Sequence, residues 1–224
     1  MGITVGFDVY GTLIDTHGVI EKLSETLGDR ATAFSQTWRD KQLEYSFRRG
    51  LMKQYEDFAV CTRQALDYTS TYFNAGFSDQ QKQQLLETYR VLPAFSDARS
   101  GLDRLKKSGA RIYAFSNGTA DAVETLLANA GISEYFIDIV SVDEIRSFKP
   151  DPGVYHHFLQ RSGADVNDAW LISSNPFDVL GAICVGMKAA WVRRSEQAVL
   201  DPWAIEPTIT ISNLDELGEK LVSA

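Results

Sequence analysis

Hydrophobic and polar positions follow two different patterns along this chain. Between residues 15 and 93, apolar residues recur at helical spacing among many polar and aromatic side chains. The spacing is illustrated by Phe34, Trp38, Leu43 and Phe47 and is continued by Leu51, Tyr55, Phe58 and Val60. No strand pattern interrupts this segment, and the first proline of the chain is Pro93. We therefore predict four or five helices here.

Outside that segment, short apolar runs alternate with helical patterns. The runs are Ile3–Phe7, Arg111–Phe115, Phe136–Ser141, Trp170–Ile172, Lys188–Val192 and Thr208–Ile211. The helical patterns are Asp97–Ser108, Ala120–Ala130, Pro152–Ser162, a stretch from Asn175-Pro176 to about Val185, and a last helix from Leu214. Short buried strands that alternate with such helices predict a parallel sheet with helices on both faces.

We therefore predict an α/β fold in which a Rossmann-like parallel sheet forms the core. Residues 1–14 and 94–224 make up this catalytic core, and residues 15–93 form a helical cap inserted after the first strand. A cap at that point of the chain is well placed to cover the carboxyl ends of the strands, where such sheets bind ligands.

Composition excludes several classes of function. The chain has 224 residues, 44% of them hydrophobic and 23% charged, which is the balance of a globular protein. Its net charge of −8 argues against a nucleic-acid partner, because phosphate binding needs a basic face. No apolar run approaches the roughly 18 residues of a membrane span, and no signal-peptide pattern opens the chain, so we expect a cytoplasmic protein. Cys61 and Cys184 are expected to be reduced, partly buried thiols.

Polar residues stand where the predicted strands end. Asp8 follows the first run, Ser116 and Asn117 close the second, and the Ser173–Asn175 stretch follows the fourth. Lys149 lies in a loop after a further run. Because the carboxyl ends of parallel strands share one edge, we expect these side chains to converge into a site. An anionic substrate would then require the few relevant cations to be gathered there, against the net charge.

Four segments in this order resemble the motifs of the haloacid dehalogenase superfamily. They are Phe7–Leu13, Ser116–Gly118, Lys149-Pro150, and Ser173–Asn175 through Asp178, Gly181 and Ala182. The resemblance covers essentially the whole chain, including the helical insertion. It implies that Asp8 is a nucleophile.

Two departures separate this chain from the phosphatases of that superfamily. In those enzymes a second Asp, which acts as a general acid, stands where this chain has Tyr10. They also carry an acidic Mg²⁺ ligand in the region where this chain has Ser173 and Ser174. The chain is instead similar to the L-2-haloacid dehalogenases, through Tyr10, Trp38-Arg39, Lys41–Tyr45, Lys149–Asp151, Tyr155 and Ser173–Asn175. No metal or other cofactor is expected. The implied substrate is a small (S)-2-haloacid, which reacts with water to give halide and an (R)-2-hydroxy acid.

The resemblance assigns a role to each motif residue near the nucleophile. Asp8 would attack C2 of the substrate and form an ester, and Lys149 would lower the pKa of Asp8. Asp178 would orient or deprotonate the hydrolytic water, although Lys149 is also a candidate base. Asn175 and Ser173 would assist Asp178, while Thr12 and Tyr155 would support Asp8 and Lys149.

The remaining implied roles concern the substrate. Arg39 and Asn117 would hold the leaving halide, and Ser116, with backbone amides after Asp8, would hold the substrate carboxylate. Aromatic edges and apolar contacts around the halide would come from Tyr10, Leu43, Phe58 and Phe177. Where the dehalogenases often have Gln and Trp, this chain has Asp40 and Phe177. Asp40 would place a negative charge near the halide, although neighbouring helix residues face apart, and Phe177 would reshape the halide pocket.

Each assignment has a structural alternative. Arg39 would be a solvated charge on a cap helix, Lys149 a surface loop lysine, and Asp178 a helix-capping residue. Simple core packing is the alternative for Leu43, Phe58 and Phe177. Arg193 and Arg194 are predicted to be a surface pair. The alternative functions are a small-molecule phosphatase of the same superfamily and a non-catalytic binding relative, and the aromatic-rich cap predicts a homodimer.

Overall fold

A computed structural model describes residues 2–223, and the sheet is its central layer. The strands are β1 (Thr4–Phe7), β2 (Arg111–Ser116), β3 (Asp138–Ser141), β4 (Ala169–Ser173), β5 (Lys188–Val192) and β6 (Ile209–Ile211). All pair in parallel, in the order β3-β2-β1-β4-β5-β6. The predicted α/β class with a Rossmann-like sheet is confirmed. β3 starts two residues later than predicted because the chain before it forms a 3-10 turn at Ser133–Tyr135.

The first strand occupies the middle of the sheet. Phe7, its last residue, pairs with Ala114 of β2 on one side and Ile172 of β4 on the other. All four β1 residues are buried. Asp8 therefore leaves the sheet between the ends of β2 and β4, at the point where the strand order reverses, which is where open α/β sheets bind ligands.

Helices cover both faces of the sheet. They are α5 (Ala98–Lys107), α6 (Ala120–Asn129), α7 (Pro152–Ser162), α8 (Pro176–Cys184) and α9 (Leu217–Ser223). Alternate residues of β2 enter two different hydrophobic clusters, Ile112 and Ala114 in one and Tyr113 and Phe115 in the other. This alternation follows the two-residue period of a strand and explains why the short runs are continuously apolar.

Residues 15–93 contain four α-helices, which agrees with the predicted four or five. They are α1 (Gly18–Leu27), α2 (Ala31–Met52), α3 (Phe58–Tyr72) and α4 (Asp79–Thr88). The chain enters and leaves this helical segment through one narrow connection, where Asp15 N donates to Pro93 O and Phe95 N to Leu13 O, both at 2.9 Å. The division into a core and a cap at residues 14 and 94 stays a prediction.

The apolar helical face does not continue past α2. Lys53 adopts a left-handed conformation with φ of 57°, which ends the helix at Met52. Leu51 lies within α2, as its helical spacing predicted, but its side chain is 84% exposed. Both cysteines are free; Cys61 is buried as expected, whereas Cys184 is exposed. Within residues 2–223, no helix is both long and apolar enough to cross a membrane.

Candidate active site

Asp8 is surrounded by hydrogen-bond donors. Its Oδ2 accepts from Thr12 Oγ1 at 2.8 Å and from Asn175 Nδ2 at 2.7 Å, with Ser173 Oγ at 3.4 Å. Its Oδ1 lies 3.3 Å from Lys149 Nζ. Donors from the loop after β1, the end of β4 and Lys149 thus surround both carboxyl oxygens of Asp8 and hold the side chain in one orientation.

Lys149 is buried, although it lies in a loop. Its side chain is 1% exposed, and Nζ donates to Asp178 Oδ2 at 2.9 Å and to Phe115 O at 2.8 Å, besides its contact with Asp8. The three N–H bonds of the ammonium are thereby used. The alternative of a surface lysine is wrong, because both carboxylates and a strand-end carbonyl hold Lys149 inside the site.

Asp8, Lys149 and Asp178 form a row of buried ionisable side chains, and Asp178 lies at the end away from Asp8. The Oδ1 of Asp178 accepts from Tyr155 Oη at 2.8 Å. Asp178 also stands in the first turn of α8, whose N-cap is Asn175, as the structural alternative expected, but both of its carboxylate oxygens bind side chains of the site. Burial raises the pKa of Asp178, the charge of Asp8 raises it further, and Lys149 opposes both. A Cβ at Gly181 would lie 2.7 Å from Tyr155 Cζ, so a glycine is required for Tyr155 to reach Asp178.

The loop after β1 is tied to the loop after β4. Ser174 N donates to Thr12 Oγ1 at 2.8 Å, and Ser174 Oγ donates to Gly11 O at 2.7 Å. Arg194 adds a third link, since it donates to Thr12 O at 2.6 Å and pairs with Asp97 at 2.5 Å. The expectation that Arg194 is a surface residue is therefore wrong. Its place beyond the end of β5, at the same sheet edge as Asp8, is the signal that would have found it.

Ser116 and Asn117 each keep one donor free. Ser116 Oγ accepts from Gly118 N at 3.1 Å, and Asn117 Oδ1 accepts from Lys149 N at 3.0 Å. Within the described chain, neither the Ser116 hydroxyl hydrogen nor the Asn117 Nδ2 group has an acceptor. Both residues are at most 8% exposed, so two polar donors without a protein acceptor lie in a largely desolvated place at the sheet edge.

Arg39 reaches the site from α2. Its Nη2 donates to Tyr10 O at 3.3 Å and its Nη1 to Gln42 Oε1 at 2.9 Å. It is thus not a freely solvated charge. Asp40, by contrast, is exposed and accepts from Gln36 at 2.9 Å, so the expected negative charge near Arg39 is absent because adjacent helical residues face different directions.

Aromatic side chains line the space between the helical segment and the sheet edge. The rings of Tyr10 and Phe58 are 6.0 Å apart, and Phe177 packs edge-on against Phe47 of α2 at 5.1 Å. Leu43 and Phe58 belong to the hydrophobic cluster that contains Phe115, so core packing accounts for part of their role. A cavity of about 490 Å³ opens beside them, lined by Tyr10, Phe58, Gln42, Thr62, Tyr89 and Gly118 among others.

A model of one hydrolase family, the haloacid dehalogenase-like hydrolases, matches residues 4–186. The chain belongs to this family. An (S)-2-haloacid dehalogenase of Pseudomonas putida is 33% identical over 97% of this chain and 96% of that protein. A haloacetate dehalogenase of Moraxella sp. strain B is 32% identical, and the alignment covers 95% of each chain. These relatives confirm the resemblance on which the sequence-based roles depend.

Solved structures of this family share the whole architecture. The L-2-haloacid dehalogenase of Xanthobacter autotrophicus, solved with chloropropionic acid covalently bound, superimposes with a TM-score of 0.92. It is 31% identical, with 99% of each chain covered. In this haloacid dehalogenase-like chain, the residues predicted from the motifs lie together at the sheet edge and beneath α2. Those missed by sequence reasoning are Gln42, Thr62 and Arg194.

Proposed function

We propose that this chain is an (S)-2-haloacid dehalogenase that converts small (S)-2-haloalkanoic acids into (R)-2-hydroxy acids through an ester on Asp8. The observation that supports this most is the row Asp8, Lys149 and Asp178 at the sheet edge, with Arg39 opposite. It combines a fixed nucleophile, a second carboxylate for the water and a cation for the leaving group.

In the first step, a carboxylate oxygen of Asp8 forms a bond to C2 while the carbon–halogen bond breaks. The halide leaves with the bonding electrons, and attack from the opposite side inverts C2. No proton is needed, which suits Tyr10, because burial raises its pKa to about 12 and makes it a poor acid. Ser116, with backbone amides after Asp8, binds the substrate carboxylate, and Arg39 and Asn117 receive the halide.

In the second step, water attacks the ester at the Asp8 carbonyl. Ester formation removes the charge of Asp8, so that Lys149 faces Asp178 as its one remaining carboxylate. Lys149 then holds Asp178 ionised, and Asp178 accepts the proton of the attacking water and passes it to the departing hydroxyl oxygen. Asp8 recovers its carboxylate, with one halide ion and one proton released for each water consumed.

The phosphatase alternative has less support. A Mg²⁺ site would need oxygen ligands where the Lys149 ammonium already lies between the two carboxylates. The narrow connection at residues 13–15 and 93–95 supports the proposed core and cap.

The predicted homodimer is tested by sedimentation of the purified protein, and a monomer at working concentration would contradict it.

The deciding experiment measures halide release from (S)- and (R)-2-chloropropionate, with and without EDTA, beside a phosphatase assay with Mg²⁺. We expect release from the S form alone, unaffected by EDTA. A single turnover in oxygen-18 water should place the label in the Asp8 carboxylate, as hydrolysis at its carbonyl requires. Mg²⁺-dependent phosphate release without halide would replace this proposal by the phosphatase, and no turnover of either substrate class would favour a binding relative.

A further inference from the structure

Arg39 has only neutral partners in the described chain. Its guanidinium donates to the amide oxygen of Gln42 and to the carbonyl of Tyr10, and no carboxylate of residues 2–223 lies within ion-pair distance of it. Lys149, the other cation of the site, contacts two carboxylates. A partly buried guanidinium without a counter-ion keeps its full charge for an anionic ligand.

Gln42 is itself held in one orientation. It is 1% exposed, and its Nε2 donates to Thr62 Oγ1 at 2.5 Å. The Thr62 hydroxyl has a single hydrogen, which it donates to Phe58 O at 2.7 Å within α3. Thr62 Oγ1 can therefore only accept from Gln42, so the amide must turn its nitrogen to Thr62 and its oxygen to Arg39.

The charge of Arg39 also influences two tyrosines near Gln42, Tyr10 and Tyr89. Burial raises the pKa values of Tyr10 and Tyr89 to about 12, and in both cases the charge of Arg39 opposes the rise. Tyr10, Tyr89, Gln42 and Thr62 all line the cavity of about 490 Å³ between α3, α4 and the start of α6. Gln42 and Thr62 thus line a ligand-accessible space, and Arg39, which is hydrogen-bonded to Gln42 and Tyr10, adjoins two of its lining residues.

We propose that Gln42 is a positioning residue that sets the anion affinity of Arg39: it orients the guanidinium through an uncharged acceptor and so leaves its charge for the departing halide. This inference rests on the proposed function, because it names how the halide site of that reaction is tuned. Thr62 takes part by fixing which end of the amide faces Arg39.

Replacing Gln42 by Glu distinguishes this role from a merely structural one. Glutamate has nearly the same shape and still accepts a hydrogen bond from Arg39, and the Thr62 hydroxyl can donate to it. If Gln42 only holds α2 and α3 together, Gln42→Glu retains halide binding. If its neutrality matters, the new carboxylate forms an ion pair with Arg39 and competes with the halide.

The chain offers a matched control in the same two helices. Arg49 of α2 donates to Gln64 Oε1 of α3 at 2.9 Å on the exposed surface. Gln64→Glu therefore makes the same change of an Arg–Gln pair into an Arg–Glu pair, away from the site. It should leave halide binding and turnover as in the wild type.

The test is a bromide titration of the full-length protein, followed by intrinsic fluorescence, together with KM and kcat for (S)-2-chloropropionate. We expect Gln42→Glu to weaken bromide binding by about tenfold or more while the melting temperature is preserved. Thr62→Val, which adds no charge, should also weaken it, because the amide is then free to turn its nitrogen to Arg39. Bromide affinity equal to wild type in Gln42→Glu would overturn the inference, and wild-type affinity in Thr62→Val would remove Thr62 from it.

The two proposals fail in different ways. Bromide binding needs no turnover. If the wild type binds bromide more tightly than Gln42→Glu does but releases no halide from the substrate, only the proposed reaction is contradicted. A wild type that turns over (S)-2-chloropropionate, beside a Gln42→Glu variant with unchanged bromide affinity, would contradict only the role of Gln42.

Discussion

The sheet edge and the helical segment supply the two cations of the site in contrasting ways. Lys149, from the sheet side, is 1% exposed and faces the carboxylates of Asp8 and Asp178. Arg39, from α2, is partly buried and held by an amide and a carbonyl. One cation is compensated within the protein, and the other is left for a ligand.

This difference follows from what each charge must do. A buried ion pair keeps its geometry only when every charge has a partner, because an unpaired buried charge costs several kcal/mol. The nucleophile and the second carboxylate need fixed positions, and Lys149 provides them. An anion site needs the opposite, a cation whose field is not cancelled by the protein. A chain with net charge −8 can therefore bind an anionic substrate through local arrangement.

The largest effect is expected from Asp8→Asn, which removes the nucleophile and keeps the shape of its surroundings. We expect halide release to fall by about 10⁴-fold or more. Bromide affinity at Arg39 should change little, because that cation does not depend on Asp8. Turnover near the wild-type rate would remove Asp8 from its role, and circular dichroism checks that the variant is folded.

Lys149→Met should be the most damaging change to stability. It leaves the carboxylates of Asp8 and Asp178 buried without their cation, at a cost of about 3–5 kcal/mol in the free energy of unfolding near pH 7. Lys53→Met is the control, since Lys53 is 79% exposed and lies 3.9 Å from Asp151, and its effect should stay within about 0.5 kcal/mol. Urea unfolding of both variants measures the difference in the free energy of unfolding. Equal losses of stability in the two variants would contradict the expectation that Asp8 and Asp178 depend on a buried cation.

Asp178→Asn is expected to separate the two chemical steps. Displacement by Asp8 remains possible, whereas hydrolysis of the ester loses its base, so turnover should fall by about 10²- to 10⁴-fold. Mass spectrometry after incubation with (S)-2-chloropropionate should show a protein heavier by the mass of the substrate acid minus hydrogen chloride. If no adduct forms although turnover is lost, Asp178 acts before the ester, and Lys149 becomes the better candidate for the base.

The smallest expected effect is a shift of the acidic limb of the pH–rate profile. Asp178 must be ionised to accept a proton, and burial together with the charge of Asp8 raises its pKa above the usual range for aspartate. Activity should therefore fall on acidification at a pH above that usual range. Because the groups of the row interact, the measured value belongs to the coupled pair. An acidic limb at the ordinary aspartate pKa would contradict this assignment.

Local patterns predicted the regular elements closely. β5 at Lys188–Val192 and α7 at Pro152–Ser162 have the bounds expected from the sequence, because a short apolar run and a Pro-to-Gly helical pattern are local signals. Periodicity alone placed Leu51 in a helix but did not reveal the left-handed residue at Lys53 that ends α2. The motif residues were found because strand ends are recognisable and the family resemblance was strong.

The sequence by itself determined the parallel sheet, the helical insertion and the set of residues that gather where strands end. These depend on the periods of apolar residues and on a rule of parallel sheets, both of which are local or topological. Tertiary structure alone decided which charges are compensated. That Gln42 meets Thr62 of α3 and that Arg194 turns inward to Thr12 both depend on contacts between segments far apart in the chain. Side-chain direction and burial set those contacts, and no local pattern encodes them.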